Sequence, residues 1–116
     1  DVGEAVITRD EAIAACMKLP GVYEDYPFSD FNWTVMRHES NRKMFAAIYQ
    51  HEGSIWMNLK AEPLRGDFLK SVFPAVVPAY HMNKTHWISV ILDGSVPDAD
   101  ILRMIEESHR LTDKNA

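Results

Sequence analysis

Ile55-Trp56-Met57-Asn58-Leu59-Lys60 alternates along its whole length: Ile55, Met57 and Leu59 point to one side of a strand, and Trp56, Asn58 and Lys60 to the other. The first set needs a core. The second pairs an indole with an amide and an ammonium group, which suits a face turned to water or a partner. A slip of one residue would reverse every side chain, so the pattern also states which face of the sheet the helices must cover.

Upstream, residues 33–38 (WTVMRH) and 44–50 (MFAAIYQ) read as two strands joined by the polar stretch Glu39-Ser40-Asn41-Arg42-Lys43. His51-Glu52-Gly53-Ser54 turns the chain into the decisive strand. Downstream, Pro63 suits a first helical turn, and Leu64, Phe68, Leu69 and Val72 supply an apolar stripe. Gly66 lies inside that helix and disfavours it by about 1 kcal/mol against alanine. After a loop from Phe73 to Pro78, residues 79–82 and 86–92 form a hairpin around Asn83-Lys84-Thr85. Its second strand turns Ile88, Val90 and Leu92 inward and leaves Trp87, Ser89 and Ile91 on the open face. Asp93-Gly94 makes a turn. Pro97 then opens a last helix with the stripe Ile101, Leu102, Met104, Ile105 and Leu111, and residues 112–116 are expected to fray.

At the start, Thr8 and Glu11 have capping-box spacing, followed by Ala12, Ile13, Cys16, Met17 and Leu19 at helical intervals. Pro20-Gly21 ends this helix. Residues 22–32, a mixture of aromatics and acids, read as an ordered loop. The expected order is αβββαββα: an α+β two-layer sandwich with a five-stranded antiparallel sheet and helices on one face. A chain of 116 residues without linker or repeat is expected to form a single domain over 1–116.

Composition sets limits on function. The lone Cys16 excludes an intrachain disulfide and fits a reducing cytoplasmic setting; no apolar run approaches the ~20 residues of a membrane span. Opening on Asp1 rather than methionine, the chain is expected to be trimmed. The net charge is −5, yet it is unevenly spread. Residues 1–32 carry −5 and residues 88–116 carry −3, whereas residues 33–87 carry +3 together with four of the five histidines. A basic middle between acidic ends could meet a polyanion, although a mixed, solvated surface is the plainer reading.

Trp56 and Trp87 on the open face, beside Asn58 and Lys60, could stack on bases or dock a partner. Alternatively the loop with Tyr23, Tyr26, Phe28 and Phe31 covers them. Ser89, His86 and Asp93 are triad residue types without a nucleophile turn or oxyanion hole, so no enzymatic activity is expected. His81 and His86 could meet across their hairpin, but two imidazoles fall short of the three or four ligands of a zinc site. No metal and no cofactor is expected, and Cys16 reads as a small core hydrophobe.

Several blocks carry a family resemblance: Leu19-Pro20-Gly21-Val22, Glu24-Asp25-Tyr26-Pro27-Phe28, Lys43-Met44-Phe45-Ala46, Asn58-Leu59-Lys60 and, most specifically, the run Pro78-Ala79-Tyr80-His81-Met82-Asn83-Lys84-Thr85-His86-Trp87. Together they resemble the MmcQ/YjbR family in order along nearly the whole chain. The resemblance implies a CyaY-like (frataxin-like) sandwich and a DNA-binding protein, with double-stranded DNA the proposed ligand and no established enzymatic activity. Its motif positions are Asn58, Lys60, Tyr80, His81, Asn83, Lys84, His86 and Trp87. The frataxin likeness also raises iron, but Glu4, Asp10 and Glu11 are too sparse for an acidic ridge.

The leading expectation is therefore a non-enzymatic module binding DNA with little sequence preference. Arg37, Arg42, Lys43, Lys60 and Lys84 would meet phosphates; Asn58, Asn83 and Trp87 would make amide or stacking contacts, with His81 and His86 in the same surface. The alternative is a protein- or small-molecule-binding module, or a homodimer, using the same aromatic face.

Overall fold

A computed structural model of the chain describes residues 5–113. Helix α1 (Arg9–Met17) starts as its capping box requires. Glu11 N–H donates to Thr8 Oγ1 at 3.1 Å, while Glu11 Oε1 accepts from the amides of Thr8 and Ile7, each at 3.0 Å. Those bonds to the ionised form hold the Glu11 carboxyl below its usual pKa. Gly21, at φ 65°, takes the left-handed conformation that lets the chain reverse into the sheet.

The sheet has six strands: β1 (Val22–Asp25), β2 (Thr34–His38), β3 (Met44–His51), β4 (Ser54–Lys60), β5 (Val76–Pro78) and β6 (Trp87–Ile91). Helices α2 (Pro63–Val72) and α3 (Asp98–Thr112) complete an αββββαββα order. Neighbours run β1-β2-β3-β4-β6-β5, every pair antiparallel. The α+β class and three helices agree with the sequence reading; the five-strand count does not. Val22–Asp25, expected as loop, is an edge strand paired from Val22↔His38 to Asp25↔Val35. An edge strand needs one ladder only and tolerates charge, so it shows little apolar alternation in sequence. The strand expected at residues 79–82 lies instead at Val76–Pro78. Pro78 has no N–H to give, which β5 can accept because it is the other edge.

The decisive strand faces as its alternation requires. Leu59 and Met57 are fully buried, Ile88 and Val90 oppose them on β6, and Lys60 is only partly covered. With Met36, Ala46 and Ile48 they form the inner sheet face, against which α1 and α3 bury Ala12, Ala15, Cys16, Ile101, Met104 and Ile105. Burial pushes the Cys16 thiol up to about 12, leaving an inert core group.

Helix α2 departs from expectation. Leu64 is 84% exposed, Phe68 55% and Val72 47%, and the buried residues are Gly66 and Leu69. A Cβ at Gly66 would lie 3.3 Å from Ile88 Cγ2, a tight contact, so the helix approaches the sheet closely on that side. Leu64, Phe68 and Val72, spaced four apart, occupy the opposite side.

Helix α3 stays ordered further than expected. Ser108, His109 and Thr112 are buried, and Ser108 Oγ accepts from Lys60 N–H at 2.8 Å and donates to Phe45 O at 2.6 Å. Glu4 and residues 114–116 of the end expected to fray lie outside the described residues. No helix among the described residues is long and apolar enough to cross a membrane.

Candidate functional site

Strand register places Ala47, Asn58 and Ser89 in one row across the outer sheet face, with Tyr49 and Trp56 in the next. This face is not open. Two loops, residues 26–33 and 79–86, fold over it. Trp33 stacks on Tyr49 with centroids 4.1 Å apart and planes inclined by 21°. Tyr80 stacks on His51 at 4.3 Å, and His81 packs against Tyr80 at 4.0 Å. Of the aromatics expected to provide cover, Phe28 meets the edge of Trp33, whereas Phe31 is 76% exposed.

A buried polar network ties the second loop down. Asn58 Oδ1 accepts from the Tyr49 hydroxyl at 2.7 Å and from the Ser89 hydroxyl, and its amide nitrogen donates to Tyr80 O at 2.8 Å. Tyr80 N–H donates to Ser89 Oγ at 2.9 Å. Every buried side-chain polar atom among the described residues is satisfied, as the low dielectric of an interior demands. Burial, above all, pushes the Tyr49 hydroxyl up to about 12.

Arg9 anchors the first loop. Its Nη1 donates to the carbonyls of Asn32 (2.7 Å) and Ile48 (3.0 Å), and its Nη2 donates to Asn32 Oδ1 at 3.0 Å. Asn32 in turn exchanges hydrogen bonds with the Gln50 backbone. Between the loops the sheet is left as the floor of a cleft of about 500 Å³. Phe28, Trp33, Val35, Met44, Ala47 and Met82 supply apolar walls; Asp30, Arg37 and His81 bring the polar groups.

The sequence-derived candidates separate into distinct groups. Asn58 is fully buried and structural, which removes it from any surface contact. Alternation assigned its face correctly but could not show that loops cover that face. Asn83 Oδ1 accepts from the amides of Thr85 (2.9 Å) and His86 (3.0 Å), so it builds the turn. Lys84 Nζ donates to Ala79 O at 2.8 Å. Arg37 Nε donates to Asp25 Oδ2 at 2.8 Å and Nη1 to Arg42 O at 3.0 Å, an ion pair that exists because residues 22–25 form a strand beside β2. Arg42, Lys43, His81 and His86 are exposed, and Lys60 and Trp87 partly so. Only Arg37 and His81 reach the cleft.

The triad residue types do not assemble. Ser89 is spent in the buried network, and Asp93 accepts from Ser95 N–H and Oγ at 2.9 and 2.6 Å. No hydrogen bond among the described residues joins His86 to either. Sequence reading missed Trp33 and Arg9 as site builders. In sequence Trp33 reads as the first residue of a strand, whereas β2 starts at Thr34 and leaves Trp33 at the end of the loop; Arg9 acts through partners 23 to 39 positions away, which no local pattern reveals.

It also paired the wrong histidines. His38 and His109, 71 positions apart in the sequence, lie with ring centroids 4.4 Å apart. His38 Nε2 is 2.7 Å from Thr112 Oγ1, whose proton goes to Ser108 O at 2.8 Å, so His38 Nε2–H is the donor. Its Nδ1 faces Asp113 Oδ1 at 3.4 Å. His109 Nε2–H donates to Pro20 O at 3.1 Å. Burial first, then the neighbouring His109, lowers the His38 pKa, with Asp113 opposing.

The YjbR family model matches residues 17–111. The Uncharacterized protein YyaQ of Bacillus subtilis (strain 168) is 31% identical, over 92% of this chain and 99% of its own. The Uncharacterized protein YjbR of Escherichia coli (strain K12) is 32% identical, over 90% and 86%. Among solved structures, a Deinococcus radiodurans protein superposes with TM-score 0.84 at 32% identity, covering 94% of this chain and 80% of that one. A crystal structure from Pseudomonas syringae gives 0.80 at 30% identity, covering 90% and 98%.

Proposed function

The chain belongs to the YjbR family, and we propose that it is a non-enzymatic binding domain whose cleft on the outer sheet face receives a small ligand with a flat, apolar body. The observation that carries this reading is the cleft itself. About 500 Å³ between two anchored loops, apolar on most sides with a few convergent polar groups, has the size and character of a small-molecule site. The Trp33 ring is held flat by Tyr49 beneath it, so a planar group could stack without reorganising the wall. Arg37 is already neutralised by Asp25, which favours a neutral ligand or one bearing a weak dipole over a multiply charged one.

Indole and naphthalene serve as probes in an amide and indole N–H chemical-shift titration. Shifts should concentrate at Trp33, Ala47, Met82 and His81, and Met44→Trp, which enlarges a lining side chain, should remove them. Shifts scattered over the whole surface, or unchanged in Met44→Trp, would refute the cleft.

A second reading, binding of double-stranded DNA, is favoured by the exposed Arg42 and Lys43 on the β2–β3 connection. Of the five bases expected to meet phosphates, Arg37 is ion-paired with Asp25 and Lys84 is hydrogen-bonded to its own loop, which lowers the number of contacts the surface can make. Two phosphate contacts would give a log K against log salt slope of about −2, and non-specific binding of ~10⁻⁴ M or weaker. Duplex titrated at low salt separates the readings: binding that competes with indole ties them to one surface, and no binding leaves the cleft alone.

A further inference from the structure

We propose that His38, His109 and Asp113 form a binding site for one borderline divalent transition ion of the zinc type, open on its fourth side. The three residues come from two elements. His38 is the last residue of β2, while His109 and Asp113 lie four positions apart at the C-terminal end of α3. One ligand atom from each lies within 4.8 Å of the other two. His38 Nδ1 and Asp113 Oδ1 are 3.4 Å apart, which matches the edge of a tetrahedron whose metal–ligand bonds are about 2.0–2.1 Å. The His109 ligand atom lies within 4.8 Å of both, within reach of a side-chain adjustment.

Hydrogen bonds outside the trio set the rings for ligation. Thr112 Oγ1 takes the His38 Nε2 proton, and Pro20 O takes the His109 Nε2 proton. Both rings therefore carry their lone pair on Nδ1, and backbone or hydroxyl partners of this kind orient metal-bound histidines. Two imidazoles and one carboxylate are a donor set suited to zinc and unsuited to magnesium or calcium, which prefer oxygen. The C-terminal end of α3 also carries the negative pole of its dipole, which favours a cation there.

Beside the trio lies a cavity of about 450 Å³ lined by Pro20, Gly21, His38, Glu39, Ser40 and Asp113. Both histidines are buried, at 1% and 9% exposure, while Asp113 is exposed and lines the cavity. Three protein ligands with a free fourth position is the arrangement that leaves room for water or an anionic group on the metal. This site is separate from the cleft on the outer sheet face and does not depend on it.

Tag-free protein, cleared of metal and returned to pH 7.5, would be titrated with Co²⁺ and followed by its visible absorption. The expected result is one equivalent bound with the intense bands of a four-coordinate ion, and displacement by Zn²⁺. Asp113→Asn, at a half-exposed position just past α3, should weaken binding at least tenfold, and His109→Gln should abolish it. His81→Ala and His86→Ala should leave it unchanged. The proposal is overturned if folded wild-type protein binds no stoichiometric Co²⁺, if the spectrum is that of the hexaaqua ion, or if Asp113→Asn binds as tightly as wild type. Should His109→Gln fail to fold, the Asp113→Asn comparison still decides.

Discussion

Replacing Asn58 by alanine tests whether this residue holds the protein together or contacts a ligand. Its side chain is fully buried and makes three hydrogen bonds, to Tyr49, Ser89 and Tyr80 O. Each contributes about 1 kcal/mol net, and stranding the partly buried Tyr80 carbonyl adds roughly 1 kcal/mol or more. Tyr49 and Ser89 can recover part of this by bonding to each other, since their oxygens are already 3.3 Å apart. The loss should therefore be about 3–4 kcal/mol, equivalent to ~12–16 °C in Tm at about 4 °C per kcal/mol for a domain of this size. Urea unfolding followed by far-ultraviolet circular dichroism would measure it, with an unchanged m-value showing that the denatured state is not responsible. A Ser89→Ala background should reduce the further cost of Asn58→Ala, because the two share one network. A loss below ~1 kcal/mol would refute the reasoning, since that is the range of substitutions away from buried networks.

Three further outcomes are expected. Phe68→Ser, on the exposed side of α2, should change stability by no more than ~0.5 kcal/mol, whereas Leu69→Ala, one position on and buried, should cost about 2–4 kcal/mol in the same urea experiment. The Glu11 carboxyl, depressed by its capping bonds, contributes stability that is present above its unfolded value of 4.5 and lost as pH falls through the lower folded value; carbon-detected titration should show the depression in wild type and its reduction in Thr8→Ala. Arg9→Met should release the 26–33 loop, seen as faster amide exchange at Asn32 and Gln50 with the sheet core still protected.

Local pattern was sufficient wherever one stretch of chain decides its own structure. The Thr8–Glu11 cap, the α3 stripe at Ile101, Met104 and Ile105, and the alternation from Ile55 to Lys60 each depend on neighbours a few positions apart. That was enough for an α+β sheet with helices against one face, and for the family to which the chain belongs. The acidic edge strand β1 and the three-residue β5 were not legible, because an edge strand is made by the partner it finds and not by its own periodicity. Helix α2 shows the same limit from the other side. Its apolar spacing was correctly helical, but in the fold Gly66 and Leu69 face the sheet and Leu64, Phe68 and Val72 face outward.

The sequence by itself determined which residues would share a face: period-2 and period-3.6 patterns are properties of the local backbone and survive any tertiary arrangement. Only the folded chain decided what lies above each face. Trp33 on Tyr49, Tyr80 on His51, Arg9 under Asn32, and His38 beside His109 join residues 16 to 71 positions apart. Loop closure over such distances is repaid jointly by many contacts. No single segment carries that information, so both the cleft and the histidine pair exist only in three dimensions.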